Sequence, residues 1–169
     1  MVDLTQFIGR SAIIGIGATL VMDCWTLVRQ HLLRGPGANY RLVGRWIGHL
    51  FRGRVRHAAI ATSPPVRGEL AIGWMTHYLT GIVFAAGLLA IWGTSWARAP
   101  TLIPALLVGI TTVAAPFLIM QPAMGTGFAA SRSPRPTQAR LQSVVTHLVF
   151  GLGLYLSARL FTAWLQWQI

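Results

Sequence analysis

The sequence has no lysine, a single cysteine and only three acidic residues, Asp3, Asp23 and Glu69. Charged residues of both signs fill 10% of its 169 positions. Soluble domains carry about 25%, so a water-soluble core with an ordinary surface is excluded. The lone Cys24 excludes an intramolecular disulfide framework and a cysteine-based zinc site. The start of the chain lacks the marks of a cleaved secretory leader. Asp3 stands near Arg10 in place of a basic opening, and no small-x-small site precedes Asp23. No nucleophile motif stands out, so no catalytic residue is assigned, and the sequence names no cofactor.

What is present is apolar and rich in arginine. Hydrophobic residues make up 54% of the chain, and the net charge is +11. That balance suits either nucleic acid or an anionic membrane surface. No recognition motif accompanies the charge, so nucleic acid is not an expected partner. Position favours the membrane, because the arginines flank four long apolar runs, at about 7–28, 70–92, 102–124 and 141–160. A run of roughly 20 apolar residues spans the hydrocarbon layer. Its backbone must satisfy itself there, which makes each run a helix. The expected fold class is therefore an all-α membrane protein, one integral membrane domain over residues 1–169 with four transmembrane helices.

The arginines also give a direction. Arg29, Arg34, Arg41, Arg45, Arg52, Arg54, Arg56 and Arg67 lie in the first inter-span segment, 29–69, and Arg132, Arg135 and Arg140 in the third, 125–140. Arg10, Arg98 and Arg159 are left for the opposite side. The positive-inside rule makes the two basic loops cytoplasmic and both termini external. Within the first loop, "NYRLVGRWIGHLFRGRVRH" spaces Leu42, Trp46, Ile47, Leu50 and Phe51 at helical intervals. This suits a short interfacial helix with Arg45, Arg52, Arg54 and Arg56 on anionic headgroups, although Gly44, Gly48 and Gly53 weaken a helix. An ordinary basic loop is the alternative. Arg132 and Arg135, beside Ser131 and Ser133, are the matching lipid or phosphate contacts of the third loop. Pro116 falls inside the third span and is expected to kink it.

Two windows share a pattern. "GWMTHYLTGIV" and "SVVTHLVFGLG" both hold Thr-His with a glycine four residues after the histidine, His77 with Gly81 and His147 with Gly151. At the same offset Ser63-Pro64 matches Ser133-Pro134. "TLVMDCW" can be laid on "FLIMQPA", pairing Asp23 with Gln121 at a larger offset. The spans then read as two similar helical hairpins, a parallel internal repeat. At 1.5 Å per residue, Asp23, His77 and His147 fall at one depth, roughly 9–12 Å inside the basic boundary, and Gln121 is near the same level. Steps of four keep Ser11, Gly15, Thr19 and Asp23 on one face, as they do Gly73, His77, Gly81 and Ala85, and Ser143, His147, Gly151 and Tyr155. Small residues on those faces suit close helix packing, so the polar groups are expected to point inward. Ionisable groups in a span must pair or serve a function. Four readings stay open for this layer: a packing network, as in a structural or assembly partner of another membrane protein with no site of its own; a proton- or ion-coupled transport site, the transporter-like reading that repeat and depth favour; a metal or haem site on His77 and His147; and membrane-embedded enzyme chemistry. A second copy of the chain is a candidate partner, because four helices make a narrow bundle.

The segments "GIGATLVMDCW", "LVGRWIGH", "GRVRHAAI", "QPAMGTGFAASRSPRP" and "HLVFGLGLY", in this order, resemble the bacterial membrane proteins grouped as domain of unknown function family 2938. The resemblance covers nearly the whole chain. It implies a small bacterial inner-membrane protein of about this length, in which the external termini read from the arginines would be periplasmic. It implies no activity and carries over no site residue.

Overall fold

Asp3 opens the first helix by accepting hydrogen bonds at Oδ1 from the amides of Thr5 and Gln6, at 3.0 and 3.4 Å, as a helix N-cap does. The computed structural model describes residues 3–32 and 37–167. Among them are five helices and no strand: α1 (Leu4–Leu32), α2 (Tyr40–Leu50), α3 (Glu69–Trp92), α4 (Leu102–Met124) and α5 (Pro136–Gln166). All but α2 are long and apolar enough to cross a membrane. Their most apolar windows are only 22–28% buried within the protein. The rest of that surface, including Ile16, Leu20, Val83, Ile91, Leu107, Leu152 and Leu156, is exposed and requires lipid or a partner to cover it.

Chain direction alternates through the bundle. Arg10 of α1 donates to the carbonyl of Thr94 at 3.1 Å, and Thr162 of α5 donates to that of Ala97 at 2.7 Å. The described start of α1, the α3–α4 turn and the end of α5 therefore share one end. The described part of the α1–α3 connection, α2 and the α4–α5 turn occupy the other, with Arg41, Arg45, Arg52, Arg54, Arg56, Arg132 and Arg135. Arg34 lies outside the described residues.

Small residues decide how the helices meet. A methyl group on Gly15 would stand 2.6 Å from the Cα of Ile82, and one on Gly109 would stand 2.6 Å from the carbonyl of His147. The α1–α3 and α4–α5 pairs thus cross with backbones nearly touching, as lipid-embedded helices do when small residues line the contact. The α1–α5 contact is equally intimate, with Ala18 against Gly153. In contrast, α3 and α4 hardly touch. The bundle is closed on the α1–α5 side and parted on the α3–α4 side.

Two layers follow along the axis. Toward the α3–α4 turn, Ile14, Ala18, Ala85, Leu88, Leu89, Ala105, Val108, Phe150, Leu154 and Ala158 form the apolar core. Toward the basic end the helices spread around a hollow. Pro116 contributes to that spreading. Lacking an amide hydrogen, it cannot continue the α register. The chain responds with a turn at Thr112–Val113, where the Ala115 amide donates to Thr112, and then a π-helical segment, Ala115–Met120, closed by the Gln121 amide on the Pro116 carbonyl. The expected disturbance takes the form of a π segment, a common response at functional sites.

The α2 segment is a helix only from Tyr40 to Leu50; beyond it the chain turns back, with the Arg54 amide donating to His49. Its glycines are contact points: Gly44 rests against the backbone of Glu69 and Gly73, and Gly73 against Tyr40. They trade helix propensity for close docking on α3.

Candidate functional site

The hollow is a cavity of about 510 Å³, within the range of small-molecule sites. All five helices line it. Thr19, Met22 and Thr26 come from α1, Tyr40 and Trp46 from α2, Thr76, His77 and Thr80 from α3, Pro116, Met120 and Gln121 from α4, and Gln142, Ser143, Thr146 and His147 from α5. Its lining is mainly apolar, with a few hydroxyls, amides and the two imidazoles. The π segment brings Ile119, Met120 and Gln121 to its wall.

One wall carries a polar network. His77 Nε2 lies 3.0 Å from Asp23 Oδ1. Tyr40 donates its hydroxyl to the same oxygen at 3.0 Å and stands 3.0 Å from His77 Nε2. Tyr78 donates to Asp23 Oδ2 at 3.0 Å. A carboxylate, which only accepts, suits three converging donors. The side chains of Asp23 and His77 are 15% and 11% exposed, so the carboxylate leaves water with its partners in place. Aromatic rings enclose the histidine. Tyr40 and Trp74 have ring centres 4.2 Å apart, Tyr40 and His77 4.5 Å, and His77 and Tyr78 5.5 Å. Trp74 is part of this enclosure.

The structure therefore joins Asp23 to His77. His147 lies apart from that network and lines the same cavity from α5. Its Nδ1 is 2.9 Å from the Thr112 hydroxyl, which donates to the carbonyl of Gly109 at 2.6 Å. With the hydroxyl proton so directed, Nδ1–H is the donor to Thr112, and Nε2 keeps its lone pair. Gln121 also lines the cavity, and among the described residues its buried Oε1 has no hydrogen-bond partner.

Among the arginines expected at headgroups, Arg45 is placed differently. Its Nε and Nη2 bind both oxygens of Glu69 at 2.9 and 3.1 Å, and Nη1 donates to the carbonyls of Ala61 and Ser63. At 14% exposure it is a bidentate anchor of the loop. Arg52, Arg54, Arg56, Arg132 and Arg135 are exposed.

Tyr40 and Tyr78 belong to the site although no spacing in the sequence singles them out. The one available signal is that the chain has only three tyrosines and Tyr78 adjoins His77. Among the described residues, no serine or cysteine is hydrogen-bonded to His77, and no three His, Cys, Asp or Glu side chains converge as metal ligands.

Residues 12–161 match the family model described as protein of unknown function (DUF2938). The chain belongs to this family. No curated protein and no solved structure matches it. The DUF2938 description assigns no activity, so any function must come from the geometry of the cavity.

Proposed function

We propose that this DUF2938 chain is a small transporter-like protein of the bacterial inner membrane, binding a small, largely apolar solute in the cavity between α3 and α4. The observation that carries this reading is the 510 Å³ hollow bounded by His77 and His147. Ionisable groups at membrane depth are functional by default. Here one histidine is tied to a carboxylate and the other to a hydroxyl. The carboxylate beside His77 keeps this wall's charge partnered at that depth.

The paired hairpins fit the same reading. Gly15 against Gly81 and Gly109 against Gly151 give each hairpin a glycine crossing, and Gly81 and Gly151 each follow a cavity histidine by four residues. Two similar halves that rock about a central site are a common carrier design. The closed α1–α5 contact and the parted α3–α4 contact would be the two faces that alternate. The basic end is cytoplasmic on this reading, both termini are periplasmic, the exposed arginines lie on anionic headgroups, and a second copy of the chain covers part of the exposed apolar surface.

The test is solute flux in vesicles carrying the wild-type chain, Asp23→Asn or His77→Gln, after mass spectrometry has identified small molecules that co-purify with the gently solubilised protein. Both variants should lose flux at normal expression. Unchanged flux of every co-purifying solute in both would overturn the reading and leave a packing network.

A further inference from the structure

A second histidine pair lies outside the cavity. His49, on the last turn of α2, is 3% exposed, and His57, in the loop that follows, is 9% exposed. Their ring planes stand at 72° to one another with centres 5.0 Å apart. The pair is firmly positioned. The Trp46 indole donates to the Val55 carbonyl at 3.0 Å, the Arg54 amide to the His49 carbonyl, and the His57 amide to the Ala123 carbonyl at 2.9 Å.

The hydrogen bonds of the rings are incomplete. His49 Nε2 lies 2.9 Å from the Pro64 carbonyl. A carbonyl only accepts, so this nitrogen carries the proton and Nδ1 presents a lone pair. Among the described residues, His49 Nδ1 and both ring nitrogens of His57 are buried and lack a hydrogen-bond partner. The Ala123 carbonyl lies near the His57 ring but outside hydrogen-bonding geometry. A buried ring nitrogen that nothing satisfies is destabilising, and water or an ion commonly satisfies such a group in a native structure.

We propose that His49 and His57 bind a divalent transition metal ion of the zinc, cobalt, nickel or copper class. Imidazole suits these ions. An ion about 2.0–2.1 Å from each ligating nitrogen lies about 3.2 Å from each ring centre, and a tetrahedral angle then sets the centres about 5.2 Å apart. The observed separation of the centres is 5.0 Å. The Nε2–H to Pro64 contact is the outer hydrogen bond that metal-bound histidines characteristically make, fixing tautomer and ring orientation. Burial, and next the neighbouring His49, push the pKa of His57 below its ordinary value, which favours the neutral ligand form. Arg54 adds to that repulsion, but it is exposed and screened. Two protein ligands leave the remaining positions to water. The ion would lock the loop onto α2 and, through the His57–Ala123 hydrogen bond, onto the cavity-lining end of α4.

The experiment uses the full chain in detergent, freed of any affinity tag and stripped with a chelator, titrated with Co²⁺ and read by visible absorption. One equivalent should bind saturably and be displaced by Zn²⁺. His49→Gln and His57→Gln should each weaken binding at least tenfold, with elution volume and helical content unchanged, while His77→Gln and His147→Gln leave it intact. Absence of saturable binding overturns the proposal. So does binding that survives both loop variants, or that disappears only with the cavity variants. Should a loop variant misfold, protection of His49 and His57 from diethylpyrocarbonate by Zn²⁺ in the wild-type chain decides; equal modification with and without Zn²⁺ overturns it. The result is independent of solute flux, so this proposal and the transport reading can fail separately.

Discussion

Asp23→Asn isolates the charge of the polar network from its shape. The asparagine keeps an acceptor oxygen where Asp23 Oδ1 receives Tyr40 and His77. Its amide takes the place of Oδ2, and Tyr78 can rotate its hydroxyl to accept from it. Most hydrogen bonds survive in number, but they lose charge assistance. Bonds to a charged group contribute about 1.5–3 kcal/mol and neutral ones about 0.5–1.5. The difference is roughly 1 kcal/mol for each of the two donors left on the oxygen, so the expected loss is about 2 kcal/mol. At about 2–4 °C per kcal/mol for a chain of this size, the midpoint should fall by about 4–8 °C. Thermal unfolding in detergent, followed by tryptophan fluorescence, measures it, since Trp74 packs against Tyr40 beside the network. Asp23→Leu leaves three donors without an acceptor and should cost considerably more. A double-mutant cycle with His77→Gln should show coupling of about 0.5–3 kcal/mol. Equal midpoints for wild type and Asp23→Asn, or strict additivity in the cycle, would refute the network as a charged unit.

Other perturbations test other parts of the structure. Thr146→Phe places a ring in the cavity and should abolish solute binding, measured by equilibrium dialysis of whatever co-purifies, with little change in the unfolding midpoint. Gly109→Val drives a side chain into the His147 carbonyl and Gly151; overpacking of about 1–3 kcal/mol should lower the midpoint, whereas Gly87→Ala, with nothing within 4 Å of the added methyl and a gain in helix propensity, should not lower it. Arg45→Lys keeps the charge but not the fork that holds Glu69, Ala61 and Ser63; proteolysis of the 51–68 loop should accelerate while helical content stays constant. On the proposed topology, reporter fusions at the C-terminus should be active only in the periplasm.

The helices were legible because lipid leaves few alternatives. Apolar runs of spanning length have to satisfy their backbone internally, and no tertiary contact can override that. Inward orientation of the four-residue stripes was legible for the same reason: Ser11, Gly15 and Thr19 on α1, and Gly73, Gly81 and Ala85 on α3, are buried. Other features depend on loop closure, which local pattern does not encode. Tyr40, 17 residues beyond Asp23, reaches it only because α2 folds back onto α3. Arg45 reads by composition as a headgroup contact, yet Glu69, 24 residues away, captures it. His49 and His57 stand in a basic loop where histidine has no periodic neighbour, and only the turn after α2 brings their rings together. Pro116 announces a break in α4, but whether the helix kinks or widens into a π segment is settled by what surrounds it.

The two ends of the bundle divide the work through residue size. At the α3–α4 turn, alanine, leucine and glycine let α1, α3 and α5 close on one another, and the core is dry. At the basic end, α1 and α3 remain joined through Thr19, Asp23 and His77, while α4 is carried outward by its π segment. The hollow between them needs a cover, and α2 supplies one. Tyr40, its first residue, binds Asp23; Gly44 docks on α3; Arg45 fastens Glu69; Trp46 lines the cavity floor and holds the following loop through Val55. One short helix thus touches the charged network, the cavity and the loop that carries the second histidine pair. Displacing it would alter all three together. On the proposed function, α2 is the element through which events at the basic surface reach the buried Asp23 network, and a helix too short to span the bilayer would for that reason carry so many of the chain's specific contacts.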